Sequence, residues 1–215
     1  MLTSYLTIKD YGEASINIRK SEFIGYIRNV ETEDFAMEFI EQIRKKNWNA
    51  THNCYAYIIG ENDEIQKAND DGEPSGTAGK PILEAIKKNY LKDTIIVVTR
   101  YFGGIKLGTG GLIRAYGQAA SEVIQSTGII QRTLNTNLAV TIEYPLLGKV
   151  ENSLNNKGYK IKDINYLEKV TLYVLVEYGF EDDFEKYLIN LTNDQVNTER
   201  IEQIYLDIPY IKNGA

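Results

Sequence analysis

Cysteine and histidine are almost absent from this chain, which contains one of each, Cys54 and His52. A disulfide within the chain is therefore excluded, and a zinc site built from Cys and His ligands is not expected. No apolar run approaches the roughly 20 residues that a membrane-spanning helix needs, and residues 1–20 lack the basic-then-apolar order of a signal peptide. These absences predict a cytoplasmic protein with a reduced thiol and no membrane partner. No cofactor and no metal site are predicted.

Positive charge is in short supply. The chain has 24 Lys and Arg against 30 Asp and Glu, a net charge of −6, which counts against a protein that binds nucleic acid over its whole surface. The deficit lies in the second part, because residues 1–136 hold 16 basic and 17 acidic side chains, whereas residues 137–215 hold 8 and 13. Any anion-binding surface is therefore expected in the first part, as a local patch.

The 215 residues, of which 43% are hydrophobic, suffice for one large domain or two small ones. In the first part, the predicted elements are strands 4–11 and 14–30 with a turn at Gly12, helix 31–48 capped by Thr32, strands 53–60 and 64–70, helix 77–91, strand 94–102 and helix 112–126. We expect the strand 53–60 to be half-buried, since its apolar residues alternate.

From residue 137 the pattern restarts in the order β-α-β-β-α-β, which is typical of a ferredoxin-like domain. The elements are strand 137–144, helix 145–158, two strands within 159–178, helix 180–192 and strand 199–211. We place the boundary at residues 134–136, which predicts domains 1–134 and 137–215.

Two polar, glycine-rich loops interrupt the first domain: "DDGEPSGTAGKP" at residues 70–81 and "RYFGGIKLGTGGLIRAYG" at residues 100–117. The first is not a Walker phosphate loop, because Pro74 and Pro81 stand where that motif requires Gly and Ser or Thr. The second is not a dinucleotide fingerprint, because a motif starting at Gly108 would need a small residue where Ile113 stands.

Both loops nevertheless lead into a predicted helix, whose first amides and dipole can hold an anion. Arg100, Lys106 and Arg114 would supply cationic contacts, and Ser75 and Thr77 are candidate caps of the helix after the first loop. No catalytic residue is predicted. The candidate ligand-binding residues are Asp70, Asp71, Glu73, Ser75, Thr77, Lys80, Arg100, Tyr101, Gly103, Gly104, Lys106, Gly108, Thr109, Gly110, Gly111 and Arg114.

Purely structural interpretations compete with these. Glycine-rich turns between a strand and a helix often serve packing alone, and Arg100 would then pair with Asp70 or Asp71 to join the loops. His52 and Cys54 lie two residues apart on one face of a strand, where a Cys–His nucleophile pair is conceivable. Such a pair normally joins separate elements and has a third orienting group, so a packed cysteine and a hydrogen-bonded histidine are favoured.

The segments "NDDGEPSGTAGKPIL", "VVTRYFGGIKLGTGGLIRAYGQAA" and "ATHNCYAY" resemble the signature segments of the YigZ/IMPACT family in its two-domain bacterial form. The resemblance covers essentially the whole chain and implies an α+β protein. Its first domain would be an α/β two-layer sandwich with a left-handed βαβ unit, as in a small-subunit ribosomal protein and in domain IV of elongation factor G. The ferredoxin-like second domain would resemble a late domain of that factor.

The resemblance also implies a role in translation, because eukaryotic members are translational regulators and bacterial members are suspected of binding RNA or the ribosome. We expect a translation-associated regulatory protein that docks on RNA, the ribosome or a translation factor through residues 70–81 and 100–116. Two alternatives stay open. One is a kinase-like enzyme that binds a small phosphorylated molecule, with Asp70 or Asp71 holding Mg²⁺, a fold-level analogy. The other is a pure protein-interaction module.

Overall fold

The computed structural model describes residues 1–210 and has a mixed α/β fold. Contacts between Cα atoms divide it into two compact units. The first holds residues 5–131, with residue 1 and the described residues from 207 onward, and the second holds residues 132–206, with residues 2–4. Within the described range, no helix is both long and apolar enough to cross a membrane.

The first unit is built on a five-stranded antiparallel sheet with the order β2-β3-β6-β4-β5. After the short strand β1 (Ser4–Thr7), its strands are β2 (Gly12–Ile18), β3 (Ser21–Asn29), β4 (His52–Ile59), β5 (Ile65–Asn69) and β6 (Thr94–Tyr101). The predicted turn at Gly12 is wrong, since Gly12 begins β2. The hairpin turn between β2 and β3 lies at Arg19 and Lys20, which have φ angles of 47° and 67°.

Helices cover both faces of this sheet. Helix α1 (Glu33–Lys46) packs on one face, whereas α2 (Gly79–Lys88) and α3 (Thr109–Thr127) pack on the other. Strand β4 is consequently buried on both faces and is not half-buried as predicted. The predicted cap of α1 is confirmed, because the Thr32 side chain accepts a hydrogen bond from the Phe35 amide.

The second unit has the ferredoxin-like element order that the sequence predicts. Its elements are β7 (Ile130–Ile142), a 3-10 turn (Tyr144–Leu146), α4 (Leu147–Asn156), β8 (Lys160–Tyr166), β9 (Val170–Glu177), α5 (Glu181–Thr192) and β10 (Asn197–Pro209). These strands belong to a five-stranded sheet with the order β1-β7-β9-β8, in which β10 also pairs with β7. Strand β7 begins seven residues before the predicted strand, so the predicted boundary at 134–136 falls inside a continuous strand.

Candidate functional site

The two polar loops meet at a cleft of about 380 Å³ in the first unit. Strands β4 and β6 are neighbours, and their register places His52 opposite Arg100 at the ends of the two strands. The cleft is lined by residues 51–52, 73–74 and 106–109, together with Arg100, Phe102 and Leu112. Parts of both predicted loops therefore form one concave surface.

A buried ion pair forms the floor of the cleft. Nη1 of Arg100 donates to Oε1 of Glu73 at 2.6 Å, and the two residues are only 6% and 8% exposed. The guanidinium carbon lies 5.5 Å from the centre of the Phe23 ring and 5.4 Å from that of Phe102. Arg100 thus pairs with Glu73, and the expectation that it pairs with Asp70 or Asp71 is wrong.

Behind the ion pair lies a buried polar chain. The Tyr116 hydroxyl donates to the same Glu73 oxygen at 2.8 Å, and the Cys54 thiol lies 3.4 Å from the Tyr116 hydroxyl and 3.0 Å from the Asp70 carbonyl oxygen. Burial raises the pKa of the Cys54 thiol and that of the Tyr116 hydroxyl. A thiol held protonated is a poor nucleophile, so Cys54 is a packed residue, as the structural interpretation expects.

His52 is hydrogen-bonded, as expected, but it also lines the cleft. Its Nδ1 atom lies 2.7 Å from the carbonyl oxygen of Asp71. Because a carbonyl oxygen only accepts, the proton of the neutral ring sits on Nδ1 and leaves a lone pair on Nε2. Nε2 lies 3.9 Å from Oε1 of Glu73. His52 is not among the predicted ligand-binding residues, and its place in the cleft follows from its pairing with Arg100 across β4 and β6.

The first turn of α2 is capped from within the chain. Oδ1 of Asp70 accepts hydrogen bonds from the amides of Ala78 and Gly79, both at 2.9 Å, and Oδ2 accepts one from Gly76 at 2.8 Å. Burial raises the pKa of this carboxyl, but the three amides outweigh burial and the net pKa is lowered. The Asp70 carboxylate therefore occupies the anion-binding position at the start of α2.

The predicted caps of α2, Ser75 and Thr77, are wrong. Ser75 is exposed, and the Thr77 hydroxyl donates to the carbonyl oxygen of Pro74 at 2.6 Å. Asp71 is also engaged, since its Oδ2 accepts from the Asn53 amide at 2.6 Å and its Oδ1 lies 3.3 Å from Nη2 of Arg44. Asp70 already accepts three hydrogen bonds and Asp71 two, and the described residues contain no group of three or more His, Cys, Asp or Glu side chains that could hold a metal ion, which argues against a Mg²⁺ site on Asp70 or Asp71.

The first turn of α3 is open, in contrast to that of α2. Its capping residue is Gly108, at φ 71°, and neither a side-chain cap nor an acidic residue is present in the turn. Thr109 and Gly110 are exposed, and a Cβ atom at Gly110 would meet nothing within 4 Å. Lys106 is exposed and lines the same cleft. An anion can approach the amides here without displacing any group of the described chain.

The other predicted residues lie outside this cleft or serve packing. Gly103 fits against the β2–β3 turn, where a Cβ atom would lie 1.9 Å from the carbonyl oxygen of Lys20. The Tyr101 hydroxyl donates to Oδ1 of Asn47, at the end of α1, and thus lies on the opposite face of the sheet. Gly104 has φ 84°, Gly111 sits in the first turn of α3, and Lys80 and Arg114 are exposed.

Comparisons with known proteins match both units. A family model described as the Impact N-terminal domain matches residues 19–124, and one described as a domain of unknown function (DUF1949) matches residues 140–195. The chain is 52% identical to "IMPACT family member YvyE" of Bacillus subtilis over 207 residues, which cover 96% of this chain and 95% of that one. It is 32% identical to "IMPACT family member YigZ" of Escherichia coli, covering 86% of this chain and 92% of that one.

A solved structure described as "Crystal structure of an hypothetical protein" has a TM-score of 0.60 and 30% identity to this chain. It covers 94% of this chain and 99% of the solved one. The similarity therefore extends over both units.

Proposed function

The chain belongs to the IMPACT family, and from this premise we propose that it is a translation-associated regulatory protein that docks on RNA, as presented by the ribosome. The docking surface consists of the exposed parts of residues 70–81 and 100–116. The observation that carries the proposal is a concentration of exposed positive charge around the open end of α3, in a chain whose net charge is −6.

This local charge is built from two segments. Residues 94–121 contain Arg100, Lys106 and Arg114 but no Asp or Glu. Lys106 and Arg114 are exposed, and neither has an ion pair within residues 1–210. The β2–β3 turn, which packs against Gly103, adds two further exposed cations, Arg19 and Lys20.

Such a surface suits the nucleic-acid backbone. Lysine, arginine and helix N-terminal amides are the usual donors to phosphate oxygens, and they position a protein without reading a base sequence. Arg100 has a different role from that expected from the sequence, because its buried ion pair with Glu73 orders the two loops and leaves the surface contacts to Lys106 and Arg114.

The test is cosedimentation of the purified chain with ribosomes at several salt concentrations. We expect binding to weaken as salt rises, with a logarithmic slope of about −3 if four phosphate contacts are made. The double variant Lys106→Glu, Arg114→Glu should lose binding. The matched control is Lys67→Glu, Lys88→Glu, which changes the net charge equally at exposed positions on β5 and α2 and should keep it.

Absence of binding by the native chain at every salt concentration would contradict the proposal. Equal loss in both double variants would show that overall charge decides binding and that the proposed surface is wrong.

A protein partner is the second candidate, favoured by exposed apolar side chains beside the cations. Phe102, Ile105 and Ile113 are 47%, 41% and 43% exposed, and apolar groups ringed by charge are typical of protein-binding surfaces. Treating the ribosome preparation with nuclease separates the two candidates, because only a protein contact should survive it.

A further inference from the structure

We propose that the cleft beside α3 is a pocket for a single nucleotide, with the phosphate at the start of α3 and the base against Phe102. The inference rests on the proposed function in one respect, since an RNA strand is one source of such a nucleotide. Each part of the ligand is matched to a part of the cleft.

The phosphate end is defined by α3 and Lys106. The helix has 19 residues, its first turn carries neither a cap nor an acid, and Gly108 and Thr109 line the cleft. Unpaired amides and the positive end of a helix dipole favour a negatively charged group at this position. Lys106 adds a full positive charge to the same wall.

An independent observation comes from Arg100, which lines the same cleft and is 94% buried. Only its Nη1 atom has a hydrogen-bond partner among the described residues, and its buried Nε atom has none. A guanidinium carries five N–H donors, and a buried donor without a partner is rare in native proteins. Nη2 also has no hydrogen-bond partner among the described residues and, unlike Nε, is not fully enclosed, so it is the donor that an acceptor on a ligand in the cleft would satisfy.

The remaining wall suits a base better than an inorganic anion. Phe102 is 47% exposed and offers a ring for stacking. The lone pair on Nε2 of His52 and the carboxylate of Glu73 are acceptors, which match the N–H groups on the edge of a base. A volume of about 380 Å³ lies within the range of small-molecule pockets. Bare phosphate would leave Phe102 unused and would be repelled by Glu73.

The experiment is isothermal titration of the full chain with the four ribonucleoside 5′-monophosphates, with the matching nucleosides and with inorganic phosphate. We expect at least one nucleotide to bind, with its nucleoside and inorganic phosphate each at least tenfold weaker. A parallel titration with short single-stranded RNA, followed by fluorescence anisotropy, identifies the source. A free nucleotide binds in both arms, whereas a nucleotide recognised only within a strand binds in the second alone.

The decisive variant is Thr109→Glu, which places a carboxylate in the open first turn of α3. An acid in the first turn favours the helix, so the variant should fold, yet it should weaken nucleotide binding at least tenfold by repelling the phosphate. The control Gln118→Glu adds the same charge at an exposed position on the same helix, about 13 Å further along, and should leave affinity within twofold of the native value. Phe102→Leu tests the base and should also weaken binding about tenfold.

The proposal is overturned if neither nucleotides nor RNA bind at millimolar concentration, or if Thr109→Glu and Gln118→Glu bind equally well. If the pocket fails these tests but ribosome association is lost in Lys106→Glu, Arg114→Glu and kept in its control, the proposed function is supported and the nucleotide pocket is not. Conversely, nucleotide binding by a chain that never associates with ribosomes would keep the pocket and remove the proposed function.

Discussion

Arg100 and Glu73 join the two polar loops through a buried ion pair, with 2.6 Å between Nη1 and Oε1. Glu73 lies 27 residues before Arg100 in the chain, with α2 between them, and Arg100 lies near the end of β6. The pair therefore fixes the first loop against the strand from which the second loop leaves, and the shape of the cleft depends on it.

Removing one member of this ion pair should lower the free energy of unfolding far more than removing both members. Arg100→Ala leaves the Glu73 carboxylate buried without its partner and should lower the free energy of unfolding by about 3–5 kcal/mol. The double variant Arg100→Met, Glu73→Leu removes both charges and should be markedly less destabilised. Urea unfolding, followed by circular dichroism, measures both. Equal losses in the two variants would mean that packing around Arg100 matters more than its charge.

The cap on α2 predicts a pH dependence. The pKa of Asp70 is lowered in the fold, so its contribution is fully present above the unfolded value of about 3.9 and is lost as pH falls through the folded value. Asp70→Asn loses the charge and turns an N–H group toward one of the three amides, which should cost about 1–2 kcal/mol at pH 7.

The difference in unfolding free energy between the native chain and Asp70→Asn should stay constant from pH 7 to about pH 5 and shrink below that. Urea unfolding at a series of pH values measures it. A difference that persists undiminished at pH 2 would show that the charge of Asp70 is not what holds the cap.

Two glycines of the second loop should respond oppositely to alanine. A Cβ atom at Gly103 would lie 1.9 Å from a backbone oxygen of Lys20, so Gly103→Ala should lower the free energy of unfolding by about 2 kcal/mol. Gly110 lies in α3 with open space around it, so Gly110→Ala should raise stability by up to about 1 kcal/mol. Thermal unfolding compares the two, and destabilisation by both would indicate that α3 begins later than Thr109.

Elements with a strong periodic pattern were predictable, and those with an unusual turn were not. Helix α1 with its Thr32 cap and the ferredoxin-like order both follow from local sequence. The β2–β3 turn does not, because Arg19 and Lys20 adopt positive φ angles that normally require Gly or Asn. The burial of β4 on both faces was not predicted, because α1 covers one face and the later helices α2 and α3 cover the other, which the alternation of its residues does not reveal.

The sequence predicts that both loops contribute to the site, but it does not predict which acidic residue pairs with Arg100. Asp70, Asp71 and Glu73 lie within four positions, and composition alone does not decide which of them reaches Arg100. The answer depends on Asp70 turning toward the α2 amides and on Asp71 turning toward Asn53. His52 enters the cleft only because β4 and β6 are neighbours, an order that a single sequence does not reveal.

The rate at which Cys54 reacts with a thiol reagent should report how often the first unit opens. It is the sole cysteine of the chain, has no exposed surface, and has a pKa raised by burial. A thiol reagent should therefore react only with molecules in which the helical cover of β4 has transiently lifted, and the labelling rate should measure how often that happens. A ligand that binds only the closed form slows labelling by the factor 1 + [L]/Kd. The unaltered chain can therefore be screened against mixtures of candidate ligands through its own thiol, without attaching a dye to either partner.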